Sequence, residues 1–471
     1  PFSLSSRTSS NMPGISGLEA LQRIKILQPN VPVIMITKSE EENIMNQAIG
    51  SEIADYLIKP VNPNQILLSI KKNLHSGALV KKKASSDYQQ EFMRISQQIN
   101  NASSIEHWYE LYNTLVRWEL LLSNADTDLD NLLRMQKLEA NSAFCKFVRR
   151  NYEKWITSDE HPLRSDEIFK TRVFPLLNKG EKVFFVVIDN FRLDQWKSIS
   201  PLLADNFNID SEELYTTILP TATQYARNAI FSGLLPIDIE RIFPDLWIDE
   251  DEELGKNVNE EPLIRTLIER YRRHDRFSYN KVNDATGGEK LLQNFSNLDD
   301  YDLNVLVLNF VDILSHARTE SKMIRELANT DNAYRSLTES WFRNSYAREI
   351  FRQISTRRCK VVLTTDHGTT RVDNPIKVVG DKNTNTNLRY KLGKNLAYNP
   401  KQVYEIKNPK RFGLPVPNIS TNYIFATNRD FFAYPNNYNH YVQYYADTFQ
   451  HGGISMEEML VPLITLTGKG S

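Results

Sequence analysis

Three short runs constrain the fold of this chain more than any other feature. KVFFVVI (182–188), NVLVLNFV (304–311) and KVVLTT (360–365) are almost wholly apolar and rich in β-branched residues. A strand that is apolar on both faces must be covered on both faces, as in a parallel sheet sandwiched between helices. Helical patterns lie between the runs, among them 263–273 and 333–356. That alternation predicts a large doubly wound α/β domain from about residue 171 to 471.

In such a sheet, ligands bind beyond the carboxyl ends of the strands. The residues that follow each run are therefore the first candidates for chemistry. Asp189 follows the first run, and Asp312 follows the second with His316 four residues on. The third run ends in Thr365-Asp366-His367-Gly368, and Gln450-His451-Gly452-Gly453 precedes a short capped helix and a final strand, MLVPLITLT. Any one of these residues alone reads as a turn or a helix cap. Three acids and three imidazoles at predicted strand ends, or in the loops beside them, point instead to metal ligation. The other histidines (His75, His107, His161, His274, His440) lack an acidic partner in such a context. Carboxylates and imidazoles suit zinc, or manganese where carboxylates dominate. Six ligands exceed one tetrahedral ion and suit two ions about 3.5–4 Å apart, the arrangement used for in-line phosphoryl transfer.

The stretch LPTATQYARNAIFSG (219–233) adds a hydroxyl. Pro220 and the threonines lead into a helix that ends at Ser232-Gly233, so Thr223 falls in its first turn, beside unsatisfied amides that suit phosphate oxygens. A neutral threonine is a poor nucleophile, but a bound cation can activate it. Thr223 is the candidate nucleophile, with the amide of Gln224 holding the transferred group. Thr221 is the rival, although it precedes the helix and fits a turn role.

The rest of the chain predicts two smaller regions. Residues 17–28 have helical spacing, VPVIMIT (31–37) and ADYLI (54–58) read as strands, a polar helix is expected at about 40–49, and 63–74 is amphipathic. These make a first α/β domain over 1–76. GALVKKKASSDYQQ (77–90) is small, basic and polar, so a linker or a helix running out of that domain is expected. Residues 88–157 are helical in pattern, with Trp108, Leu111, Leu115, Trp118 and Leu122 on one face, and 77–170 reads as a helical bundle or linker. A long basic insert, 374–411, includes Arg389, Lys391 and Lys394 among interleaved Asn, Thr and Tyr. It reads either as a solvated surface loop or as a lid that binds an anionic, base-bearing ligand.

Bulk properties exclude more than they select. The net charge is -1 and no helix-turn-helix pattern is present, so direct DNA binding is disfavoured. No apolar run approaches the roughly 20 residues that span a bilayer. PFSLSSRTSS at the start has no apolar signal core, and the two cysteines suit a reducing compartment. The expectation is a cytoplasmic protein with no membrane association.

VVIDNFR (186–192), LPTATQYARNAIFSG, NFVDILSH (309–316), TTDHG (364–368) and QHGGISMEEMLVP (450–462) together resemble the PglZ branch of the alkaline phosphatase superfamily, over roughly 175–471. The resemblance implies Asp189, Thr223, Asp366 and His367 on one metal and Asp312, His316 and His451 on the other. The position of Thr223 matches the nucleophile of the nucleotide pyrophosphatase/phosphodiesterase branch, which implies a diester substrate of nucleotide or oligonucleotide type. NMPGISGLEAL (11–21), VIMIT (33–37) and ADYLIKP (54–60) resemble the second half of a response-regulator receiver. That likeness makes Thr37 the switch hydroxyl, Tyr56 the switch aromatic and Lys59 the phosphate-pairing lysine. Ser9 stands where receivers carry the phospho-accepting aspartate, so no phosphoryl transfer is expected there, and a truncated or altered receiver-like domain is the reading. The order of regions resembles PorX-type response regulators linked to type IX secretion. It implies a sensor histidine kinase, a sigma factor, and a homodimer formed through an intact receiver. GKNL (393–396) with Arg389 implies that the insert is a substrate lid. The alternative class is a signalling scaffold that binds the sigma factor, with structural metals.

Overall fold

The computed structural model describes residues 17–28, 31–37, 53–61, 63–123, 127–249, 257–328, 330–380, 384–417 and 420–470. The chain divides into two compact units, residues 1–92 with 124–129 and residues 93–123 with 130–471.

In the first unit, strands Ile34–Thr37 and Asp55–Ile58 pair in parallel, with Thr37 opposite Ile58 and Met35 opposite Tyr56. Leu21 of helix Gly17–Leu27 packs with Val33 and Met35, and Ile24 and Ile53 close the cluster. Lys59 is exposed beyond the second strand and precedes a cis proline, Pro60. Ser9 and the helix expected at 40–49 lie outside the described residues. A single helix, Pro63–Asn101, runs through the stretch 77–90. Gly77 is the one strong helix breaker there, and the lysines and alanines around it are good helix formers.

In the second unit, helix Ile105–Leu122 starts at Ser104, whose side chain accepts from the His107 amide, and Trp108, Leu111, Leu115, Trp118 and Leu122 are all buried. The main sheet has six strands in the order 207–216, 460–468, 360–364, 183–188, 303–308, 277–282. Strand Leu460–Gly468 runs antiparallel to both of its neighbours, and the contacts of 183–188 with 303–308 and 360–364 are parallel. Every residue of Val183–Ile188 and Leu303–Leu308 is buried. Each large apolar side chain there contributes about 1.5–3 kcal/mol. The register sets Val187 beside both Val307 and Thr364, so the three strands end level. The central strand is flanked by later strands on both sides, which makes its carboxyl end a topological switch point.

The basic insert is not a loop. Strands Tyr390–Gly393, Asn422–Phe425 and Tyr404–Ile406 form an antiparallel sheet, and Ile376, Val378, Val403, Ile424, Ala426 and Phe432 make a separate core beneath it. Its strands are short, and the charged residues Lys391 and Glu405 interrupt their apolar pattern in the sequence. Among the described residues, no helix is long and apolar enough to cross a membrane.

Candidate dinuclear metal centre

Level strand ends bring the predicted ligands together in two groups. Asp189, Asp366 and His367 form one, and Asp312, His316 and His451 the other, with candidate ligand atoms within 4.8 Å of one another in each. In the first, His367 Nε2 lies 3.9 Å from Asp189 Oδ1 and 3.7 Å from Asp366 Oδ2. In the second, Asp312 and His316 share a face of helix Phe310–Glu320 at i,i+4, with Nε2 and Oδ2 3.5 Å apart. His451 Nε2 lies 3.9 Å from Asp312 Oδ1. The groups adjoin, because the rings of His367 and His451 stack with centroids 4.2 Å apart.

The main chain fixes which imidazole nitrogens are available. His367 Nδ1 is 3.1 Å from the Gly368 carbonyl, and His451 Nδ1 is 3.1 Å from the Thr221 carbonyl. A carbonyl only accepts, so each Nδ1 carries the proton and each Nε2 keeps its lone pair for the site. Burial lowers both imidazoles, His367 to about 4 and His451 to about 3, so both are neutral near pH 7. Burial also raises the carboxyls of Asp189 (to about 6), Asp312 and Asp366, and repulsion among these acids adds to the rise. Asp189 Oδ1 and Asp366 Oδ2 are buried with no hydrogen-bond partner. Crowded carboxylates with orphaned oxygens, faced by neutral imidazole lone pairs, are the donor set of a divalent cation.

Thr223 is the first residue of helix Thr223–Ser232, after N-cap Ala222. Its Oγ1 lies 3.1 Å from His367 Nε2. Thr221 faces elsewhere: its buried hydroxyl donates to the Gly453 carbonyl at 2.8 Å and accepts from the Gly452 amide at 3.0 Å. The Gln224 side chain donates to the Ile248 carbonyl at 2.6 Å, so only its amide is positioned for a ligand, as a second helical residue without an intrahelical acceptor.

Sequence reasoning missed Arg227, one turn after Thr223 on the same helix. Its buried guanidinium lies 2.8 Å from Asp189, 3.8 Å from Asp366 and 2.7 Å from Glu260. Arg227 is the one charged residue of helix Thr223–Ser232, and that was the available signal. Nothing in the sequence marks Glu260 as its partner. Asn190 was also missed. It takes a left-handed conformation (φ 62°) and donates to Asp312 Oδ1 at 3.3 Å and Ser315 Oγ at 3.1 Å.

The basic residues proposed to meet substrate divide. Arg389 is fully buried, with Nη2 2.6 Å from Glu458 Oε2 and Nε 3.1 Å from Glu458 Oε1, and Nη1 donates to the Asp430 carbonyl. Its guanidinium bonds tie the insert to Glu458 and to the carbonyls of Asp430 and Ile454, and its burial leaves no face for a ligand. Lys391 is also buried, donating to the Asn385 carbonyl at 2.6 Å with its ammonium over the Tyr434 ring. Only Lys394 is exposed.

A doubly wound sheet that gathers three acids, three imidazoles and a hydroxyl at a helix N-terminus along its carboxyl edge defines an alkaline phosphatase-like domain. The chain belongs to the PglZ family: the BREX system PglZ alkaline phosphatase-like domain matches residues 168–466. The response regulator receiver domain matches 8–71 and the PorX response regulator linker domain 78–156. The three in this order match a PorX-type response regulator, a receiver joined to a hydrolase-like effector. A curated relative, the two-component response regulator ARR14 of Arabidopsis thaliana, is 34% identical over 56 residues, 12% of this chain and 15% of its own length. Among solved structures, a CheY-like receiver domain protein from Methanospirillum hungatei matches with 28% identity, over 15% of this chain and 55% of that one, at a TM-score of 0.14. Phosphonoacetate hydrolase from Sinorhizobium meliloti, in complex with phosphonoformate, matches with 12% identity, over 60% of this chain and 90% of that one, at a TM-score of 0.38.

Proposed function

We propose that the second unit is a two-metal phosphodiesterase acting on nucleotide-type diesters, with Thr223 as nucleophile. The observation that carries this reading is the Thr223 hydroxyl, 3.1 Å from His367 Nε2 at a helix N-terminus, against the group of Asp189, Asp366 and His367. Asp189, Asp366 and His367 would hold one cation, with Thr223 beside it, and Asp312, His316 and His451 the other; zinc suits this donor set. Bound there, two divalent cations would favour the threonine alkoxide and offset phosphate charge.

The chain's own groups do the rest. The Gly368 carbonyl holds His367 in one tautomer, and the amides of Thr223 and Gln224 can donate to the phosphate oxygens. Thr223 Oγ, its proton lost to water, forms a bond to phosphorus as the bond to the first alcohol breaks, and that alcohol leaves with a proton from water. Water then cleaves the phospho-Thr223 bond, which releases a monoester and restores the hydroxyl. Hydrolysis of bis(p-nitrophenyl) phosphate by metal-loaded protein tests this. Thr223→Ala is expected to lose more than about 10³-fold in turnover, and equal rates would remove Thr223 from the mechanism.

The order of modules supports a role as a receiver-controlled effector in type IX secretion. A sensor histidine kinase upstream, a sigma factor as partner and a receiver-mediated homodimer follow as parts of this reading. One observation favours the scaffold alternative: Arg227 gives the buried acids an internal cation. Metal-loaded protein that binds a sigma factor and turns over no diester would decide for it.

A further inference from the structure

A second polar cavity, of about 350 Å³, lies in the same unit and is not lined by any of the candidate metal ligands. Helix Thr127–Thr157 supplies one wall, helix Asp331–Asn344 another, and Arg371 and Arg429 a third. Its inner acids already have cations. Glu119 takes Lys137 at 2.6 Å and Arg335 at 3.1 Å, Asp331 takes Arg192 at 2.8 Å, and Glu457 accepts from Asn141 at 2.8 Å with Lys137 at 3.5 Å.

The arginines of the third wall are paired less completely, although Arg429 Nε donates to the Arg371 carbonyl at 3.0 Å. Arg371 Nη2 reaches only the exposed Asp447, at 2.7 Å, while its buried Nε has no hydrogen-bond partner. Arg429 Nη2 is 2.8 Å from Asp373 but makes no aligned hydrogen bond, and Arg134 shares that carboxylate at 3.9 Å. Three guanidinium groups thus converge on two partly exposed acids, and Asp130 stands exposed on the rim. Burial, and then the charges of Arg134 and Arg371, lower the pKa of Arg429. A desolvated guanidinium with an unused donor is costly, and a bidentate oxyanion answers it.

We propose that this cavity is a binding site for a small phosphate-bearing anion, held by Arg371, Arg429 and Arg134. Its lining is continuous with the loops that carry the candidate ligands. Arg371 follows His367 by four residues. Glu457, six residues after His451, packs so closely on Gly368 that a Cβ there would come within 2.0 Å of its carbonyl oxygen. Arg192, which grips Asp331, is three residues past Asp189. An anion held by Arg371 would thus engage the chain four residues past His367.

The site stands independently of the phosphodiesterase reading. Calorimetric titration with inorganic pyrophosphate tests it on the full chain, on Asp366→Asn to disable the metal centre, and on Arg371→Met and Arg371→Lys. Binding is expected to survive in Asp366→Asn and to weaken about tenfold or more in Arg371→Met. Arg371→Lys keeps the charge and loses the Nε donor, so it is expected to bind several-fold more weakly than native, and it serves as the folded control if Arg371→Met unfolds. Binding that disappears in Asp366→Asn, binding unchanged in both Arg371 variants, or no binding at millimolar pyrophosphate would overturn the proposal.

Discussion

The two candidate ligand groups share a chemistry but differ in their surroundings. Asp189, Asp366 and His367 are buried and lie against Arg227, itself buried. In the other group the Asp312 and His451 side chains are partly buried, and the His316 side chain is 63% exposed. The inner group is built on a strand end and the loop after another, where every neighbour is packed. The outer group relies on a solvated helix turn for two of its three members. The inner group is therefore suited to hold a cation permanently and the outer one to exchange it and admit water.

The sharpest test of that contrast is metal content after dialysis. Asp366→Asn is expected to lose the inner cation and more than about 10³-fold in diester turnover. His316→Ala is expected to keep the inner cation and weaken binding at the outer group about 10–100-fold. Equal losses in the two variants would erase the distinction. Next in size, Arg227→Met leaves buried carboxylates without their cation and is expected to destabilise metal-free protein by about 3–5 kcal/mol. Added divalent cation should recover part of this, as read by urea unfolding, and an identical cost with and without metal would deny Arg227 a compensating role. Thr221→Val strands the buried Gly452 amide and is expected to cost about 1–3 kcal/mol in thermal unfolding.

The smallest effect is in proton release. The Asp189 carboxyl, raised to about 6, must give up its proton to bind a cation, whereas His367 and His451 are already neutral above about 4. Cation binding should therefore release about one proton or more near pH 5.5 and almost none near pH 8, with affinity rising between the two. Release that persists undiminished near pH 8 would show that some other group is titrating.

Much of this arrangement is legible in the chain itself. Apolar runs that stop at Asp189, Asn309-Asp312 and Thr365-Asp366-His367 announce both the sheet and its working edge, because buried parallel strands leave little choice of pattern. What could not be read depends on partners distant in sequence. Arg389 and Lys391 look like surface charge because composition does not record burial, and only the folded chain brings Glu458 to Arg389. Arg227 and Glu260 are 33 residues apart and meet through helix packing that no local spacing encodes. The insert's strands are hard to read because they are short and carry charged residues, Lys391 and Glu405, between apolar ones. Of the two readings of 77–90, the helix running out of the first domain holds, because the surrounding residues offset the cost of Gly77.

Thr221 accepts from the His451 ring through its carbonyl and grips Gly452 and Gly453 through its hydroxyl, two residues before Thr223. The alcohol of one group and the imidazole of the other are thus mounted on a common bracket. Neither can be re-aimed alone, so a laboratory selection for a new substrate would have to reshape both together or work at the rim.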